Sequence, residues 1–312
     1  MPSTSDYINQ LKTDKENLVN NLISKGVEAN NEETFTSLVP KILDIQGSSE
    51  SEYNAVIDGS LYPTFSSSDE FLIKRMITKI PKIDTSKWTS LSNVFKNCEN
   101  LEEIPLLNTS NVTNFQYAFY NCKKLKTIPL SDTGKATTFY QAFYYCNSLK
   151  TFPQINMENV TDMYQMFYEC QVLTDIPSLN TSKVKDMRQI CIGCTLLKNV
   201  GLLDASSVNL MQNPFYRCSS LENFEGFKDL GKGYTQKTAN YSSYSCNVST
   251  ITTLTHDSLM NIINNLYDLN LTYGVANGGT LYTQQLVLGS TNLAKLSADE
   301  IAVATNKGWS VS

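Results

Sequence analysis

The feature that most limits what this chain can fold into is a cysteine that returns every 24 residues. Cysteines stand at Cys98, Cys122, Cys146, Cys170, Cys194 and Cys218. A leucine follows each by three positions (Leu101, Leu125, Leu149, Leu173, Leu197, Leu221), and a proline follows four of them by seven (Pro105, Pro129, Pro153, Pro177). Six aligned copies without a gap imply a stack of equivalent coils, each packed on its neighbours, so that 312 residues need not share one globular core.

Within one unit Leu91, Val94, Phe95 and Cys98 are spaced i, i+3, i+4, i+7, which predicts a short helix burying one face. The segments LEEIP, LKTIP, LKTFP and LTDIP then read as short extended pieces that turn a corner at proline. A second extended piece begins with an unbroken Asp/Asn column: Asp84, Asn108, Asp132, Asn156, Asn180 and Asp204. Such side chains close tight turns by bonding backbone two residues on. The expected fold class is therefore an α/β repeat solenoid, a leucine-rich-repeat-like stack of 24-residue coils, each a short helix plus short strands.

The solenoid is expected over residues 70–224. Its first copy, FLIKRMITKIP, carries Lys74 in the cysteine register, as a terminal capping repeat should. Residues 1–46 read as a helical attachment or oligomerisation module with Ile8, Leu11, Leu18 and Leu22 on one stripe, and 47–69 as a linker and a hairpin around Asp58-Gly59. Residues 225–312 read as an insertion loop and a C-terminal α/β cap. There Thr255 caps a helix with Leu259, Ile262, Ile263, Leu266 and Leu269 on one face, and Asn277-Gly278-Gly279 marks a hairpin turn. Ser297 and Glu300 form a capping box ahead of a last helix and a short WSVS strand.

A net charge of −5 argues against an electrostatic reader of nucleic acid. No run of about 18 apolar residues is present, so no membrane span is expected. The N-terminus lacks a basic stretch followed by an apolar one, so synthesis in the cytosol without a secretory signal is expected, and with it free thiols. Stacking brings the repeat cysteines within disulfide reach by distance, but a fixed slot in a packed coil selects cysteine for its small apolar bulk.

No residue set announces catalysis. His256 is the sole histidine, so no Ser/His/Asp triad or Cys/His dyad can be completed from a second one. Cys191 and Cys194 have the spacing of a redox or metal motif, yet Cys194 is the ordinary repeat cysteine and Cys191 fills a phenylalanine slot. The Asp/Asn column has too little adjacent charge for a calcium ladder. The expectation is a non-enzymatic protein with no cofactor and no metal. What remains is an unusual stock of 17 tyrosines against only 18% charged residues, the make-up of a neutral, hydrogen-bonding, aromatic surface. Tyr120, Tyr144, Tyr168 and Tyr216 share one register, broken only at Ile192, and Tyr117, Tyr140 and Tyr164 lie nearby. These tyrosines either half-bury against neighbouring coils or form a recognition face, since tyrosine offers rigid contact area with a polar tip.

The stretches NTSNVTNFQYAFYNCKKL (108–125) and NMENVTDMYQMFYECQVL (156–173) closely resemble the bacterial BspA-type leucine-rich repeat family. The resemblance covers about residues 70–224. It implies a right-handed repeat stack displayed at a surface and used in adhesion or recognition. Cys191 in place of phenylalanine and Gly201 in place of proline depart from the pattern. DKENLVNNLISKGVEANNEETFTSLVPKILDI resembles the N-terminal helical modules of tail-associated proteins in phages and prophages of Gram-positive bacteria, and LTHDSLMNIINNLYDL and LGSTNLAKLSADEIAVATNKGWSVS resemble the ends of repeat proteins found in the same setting. That likeness implies a tail-tip protein that contacts a bacterial surface glycan or protein. It would be joined to phage tail or baseplate proteins through its N-terminal helices, as a possible homo-oligomer. A cell-surface adhesin and a purely structural tail component stay open beside it.

Overall fold

The computed structural model describes residues 16, 19–20, 22–24, 28–32, 78–80, 85–232, 246–270 and 284–312. The 24-residue repeat governs it. Parallel bridges join equivalent residues of successive coils, in the row Asn114, Thr138, Asp162, Asp186 and Leu210. On another side, two-residue strands do the same. These are β1 (Asp175–Ile176), β2 (Asn199–Val200), β3 (Leu203–Asp204), β4 (Asn223–Phe224) and β5 (Phe227–Lys228). β2 pairs in parallel with both β1 and β4, and β3 pairs in parallel with β5.

The short helix expected in each coil is not there; a ribbon of overlapping turns takes its place. The N–H groups of Val94, Lys96 and Cys98 bond back three residues, to the carbonyls of Leu91, Asn93 and Phe95, each at 3.1 Å. The alternate N–H groups, those of Leu91, Asn93, Phe95 and Asn97, leave the coil and reach Asn114, Gln116, Ala118 and Tyr120 of the next at 2.8–3.1 Å. An α-helix would consume all of them internally. Sending alternate donors outward requires the backbone to reverse hand at two places per coil. Two columns of positive φ result: Asn93, Tyr117, Gln141, Gln165, Gln189 and Asn213, then Asn97, Asn121, Tyr145, Glu169, Gly193 and Arg217. The reversals recur every four residues, close to the 3.6 of a helix, which is why the apolar spacing looked helical. Leu91, Phe95 and Cys98 are buried all the same.

Each buried column has its own physical reason. Phe95, Phe119, Phe143 and Phe167 stack ring on ring at 5.2, 5.5 and 5.8 Å, and burying each is worth about 1.5–3 kcal/mol. The cysteines are more than small apolar fillers. The thiols of Cys122, Cys146, Cys170 and Cys194 donate to the carbonyls of Phe95, Phe119, Phe143 and Phe167 at 3.0–3.2 Å, a bond that alanine or valine would forfeit. All eight cysteines are buried, and none is joined in a disulfide. Buried threonines tie coil to coil as well: Thr85, Thr133 and Thr181 donate to the carbonyls of Asn108, Asn156 and Asp204 at 2.9, 2.6 and 2.9 Å, and Thr109 does so to Asp132. The Asx side chains close turns as expected, Asp132 accepting from the N–H of Gly134 and Asn156 from that of Glu158.

The stack ends against a parallel sheet of β6 (Cys246–Asn247), β7 (Gln284–Val287) and β8 (Trp309–Val311), with β7 in the middle. Its helices are α1 (His256–Asn264), α2 (Ser290–Leu293) and α3 (Ala298–Asn306). Thr255 caps α1, and Ser297 with Glu300 forms the capping box of α3. Helix α1 stops at Asn264, so Leu266 and Leu269 are buried beyond its end rather than on its face. The Glu222 carbonyl accepts from the Thr255 N–H and the Ser258 hydroxyl, which joins cap to stack. One apolar core runs from Ile80 to Trp309. Residues 47–69, Lys74 and the turn at Asn277-Gly278-Gly279 lie outside the described residues, as do Ile8, Leu11 and Leu18; Leu22 is buried.

Replacing Thr133 by Val keeps the shape but strips the Asn156 carbonyl of its donor. Denaturant unfolding should show a loss of about 1–3 kcal/mol, with the slope unchanged. An unaltered midpoint would mean the threonine column is filler.

Candidate recognition surface

The outward side chains of the turn ribbon form two aromatic ladders. In the first, Tyr120, Tyr144 and Tyr168 lie nearly parallel, with ring centroids 4.7 and 4.5 Å apart and planes within 6° and 8°. In the second, Tyr140 stacks on Tyr164 at 5.2 Å and meets Tyr117 edge-on at 5.4 Å. Tyr145 meets both Tyr144 and Tyr168 at near right angles. Cations close both ends of the second ladder, Lys96 Nζ lying 4.5 Å from the Tyr117 ring centroid and the Arg188 guanidinium 5.0 Å from that of Tyr164; Lys96 Nζ also lies 5.5 Å from Tyr120, at the start of the first. Asp186 holds that guanidinium in place and raises its proton affinity.

The coil step that spaces the backbone therefore spaces the phenols too. Beneath them runs a glutamine ladder, Gln141 donating to Gln165 and Gln165 to Gln189. Burial lifts the phenols of Tyr120, Tyr144 and Tyr168, and neighbouring tyrosines add to the effect. Burial, with a hydrogen bond to Tyr117, pushes Tyr140 up to about 12. At neutral pH this is an array of protonated hydroxyls. Asp162, behind Tyr164, is also raised by burial, with the charge of Asp186 contributing.

Six of the seven tyrosines singled out in the sequence, Tyr117, Tyr120, Tyr140, Tyr144, Tyr164 and Tyr168, come together here, half-buried. Tyr216 does not join them. Ile192 intervenes, and Tyr216 is 43% exposed. The flanking charges Lys96, Arg188, Glu169 and Arg217 were not legible as site residues. A signal did exist for Arg188, which continues the 24-residue register of Tyr140 and Tyr164.

Other sequence candidates fall into ordinary roles. Cys191 and Cys194 are fully buried, and among the described residues no group of His, Cys, Asp and Glu is arranged to hold a metal ion. His256 Nε2 lies 2.9 Å from Glu300 Oε1, linking α1 to the start of α3 on an exposed face. No described helix is long and apolar enough to cross a membrane.

A family model described as "Mycoplasma protein of unknown function, DUF285" matches residues 60–173 and 137–252. Those matches cover the array on which the resemblance to BspA-type repeats rests. No curated relative matches. The crystal structure of a leucine-rich repeat protein of T. pallidum is 24% identical, with 47% of this chain and 67% of that chain covered, at a TM-score of 0.32, a superposition too loose to argue from.

The raised groups make the fold sensitive to alkali. Burial pushes the Cys246 thiol up to about 12 and also raises Cys146, Cys170, Cys194 and Cys218. An unfolded thiol ionises near 8.5, roughly. The folded state thus keeps protons that the unfolded state releases, so stability is full below about pH 8.5 and declines as pH climbs toward 12. Urea midpoints that stay flat across this alkaline range would contradict it.

Proposed function

The chain belongs to the family described as "Mycoplasma protein of unknown function, DUF285", and on that premise we propose that it is a non-enzymatic recognition protein whose solenoid offers the tyrosine face to a bacterial surface glycan or protein. The observation that carries this reading is the Tyr120–Tyr144–Tyr168 stack. Its rings are ordered by the coils before any ligand arrives, so little side-chain freedom remains to be lost on binding. Tyrosine flanked by amide side chains gives rigid contact area with adaptable hydrogen bonds. Nothing in the arrangement calls for a cofactor.

The finer reading is a tail-tip receptor-binding protein of a phage or prophage. The resemblance of the N-terminal stretch to helical modules of tail-associated proteins, and of the C-terminal stretches to the ends of repeat proteins in the same setting, supports it. In this reading residues 1–46 attach the chain to tail or baseplate proteins and assemble copies of it, and several copies add avidity to weak single contacts. The chain would be made in the host cytoplasm and carried on a virion or tail particle. A cell-surface adhesin would use the same face from a different location.

Two measurements separate these. After induction of the source cells, the chain should co-sediment with released tail particles; retention in the envelope of uninduced cells would favour the adhesin. The double variant Tyr144→Ser, Tyr168→Ser, folded by circular dichroism, should lose roughly tenfold or more in binding to target cells, as truncating central aromatic anchors does. Undiminished binding would leave the ladder a packing device.

A further inference from the structure

The stretch that leads into each turn ribbon carries a row of cations held in place without being neutralised. Val112, Val160 and Val184 are buried there, and the residues before and after them turn outward. One outer column reads Lys87, Asn111, Lys135, Asn159 and Lys183, and the other runs through Thr89, Thr113, Thr137 and Thr161. Every lysine and threonine in the two columns is exposed.

Elsewhere in the stack lysines meet a carboxylate one coil away. Lys79 pairs with Glu103 at 3.3 Å, Lys123 with Glu99 at 3.0 Å, Lys126 with Glu102 at 2.7 Å and Lys228 with Asp204 at 2.9 Å. The outer column uses an amide instead. Lys135 Nζ donates to Asn111 Oδ1 and Lys183 Nζ to Asn159 Oδ1, both at 2.7 Å. Each amide is itself fixed, Asn111 Nδ2 donating to the Ser86 carbonyl at 2.8 Å and Asn159 Nδ2 to that of Gly134 at 2.7 Å. An aspartate in place of either asparagine would hold the ammonium and cancel its charge; the amide holds it and leaves the charge. The threonine hydroxyls beside them are oriented too. Those of Thr113, Thr137 and Thr161 donate to the carbonyls of Thr89, Thr113 and Thr137 at 3.2, 3.0 and 3.1 Å, so their oxygens remain open as acceptors.

We infer that this face binds a linear polysaccharide in which acidic and neutral sugars alternate. Lys87, Lys135 and Lys183 stand two coils apart, roughly 10 Å at the usual strand spacing. A disaccharide of extended, equatorially linked sugars covers about the same length, so one carboxylate per disaccharide meets one lysine. Sugar hydroxyls meet the threonine oxygens, which recur at each coil. Asp132 and Glu158 are exposed on the same stretch, and among the described residues neither pairs with a lysine. Their charges disfavour a polymer ionised at every residue, as does the net charge of −5. None of the stacked tyrosines takes part, so this assignment stands or falls apart from the tyrosine face.

The full chain should be tested on immobilised hyaluronan, with chitotetraose as the neutral control and polygalacturonate and duplex DNA as densely charged ones. Wild type should be retained on hyaluronan, released by added salt, and retained less on each control. The double variant Lys135→Gln, Lys183→Gln should weaken retention roughly tenfold, the sum of two exposed charge contacts of ordinary strength. Asn111→Asp with Asn159→Asp leaves both lysines in place, cancels their charge and should weaken retention comparably, with an unchanged or higher Tm. That second pair guards against a fold defect in the first. Lys124→Gln with Lys150→Gln makes the same change of charge at exposed lysines outside the two columns and should leave retention as it was. Four results overturn the assignment: no retention on hyaluronan, equal or stronger retention on polygalacturonate or DNA, unaltered retention of both column variants, or an equal loss in the Lys124, Lys150 variant.

Discussion

Everything in the repeat stack depends on a backbone hydrogen bond that leaves its own coil. In each turn ribbon every second N–H points along the stack, as Phe115, Tyr117, Phe119 and Asn121 do toward Thr138, Tyr140, Ala142 and Tyr144. A left-handed residue costs roughly 1–2 kcal/mol when it is not glycine, and each coil contains two. The cost is offset because the reversal satisfies donors that would otherwise be buried without partners, and because side chains on the reversed residues ladder together, as Gln165 does with Gln189. The bond works only if the next coil has the same length and phase. That requirement explains why the cysteine spacing admits no gap from Cys98 to Cys218.

The same constraint separates what the amino-acid order made legible from what it hid. Cysteine, leucine and proline columns gave the coil length, and Asx residues gave the turns, because each of these acts locally. Capping of α1 by Thr255 and of α3 by Ser297 with Glu300 was readable for the same reason. The turn ribbon was not. Residues at i, i+3, i+4 and i+7 suit a helix and equally a ribbon that reverses every fourth residue. A discriminating sign was present at Asn93, Asn97, Asn121, Asn213 and Gly193, types that tolerate left-handed backbone. It was masked by Tyr117, Gln141, Tyr145 and Glu169 at equivalent positions, where inter-coil bonding overrides local preference.

The tyrosine register was visible as a stripe, but its consequence was not. A period in the sequence says that side chains line up; it does not say whether their ring faces are open. Once the step between coils matches the thickness of stacked rings, regular repetition closes the faces: Tyr144 is covered by Tyr120 on one side and Tyr168 on the other. A perfect aromatic column is thus a cohesive element first, and it presents edges and hydroxyls.

Cys191, Ile192 and Gly193 look like a weakened copy, each smaller than its equivalents. Their buried backbone loses nothing, since Cys191 and Gly193 still donate to Pro214 and Tyr216 at 2.9 Å. The shortfall lies in side-chain volume alone: Cys191 and Ile192 stay buried, and the absent side chain of Gly193 makes room for the Glu169 carboxylate. A stack built on backbone bonds can surrender side chains at one coil without surrendering its register. Side-chain identity can therefore vary at a single coil, inside and outside, as long as the backbone bonds to its neighbours are kept.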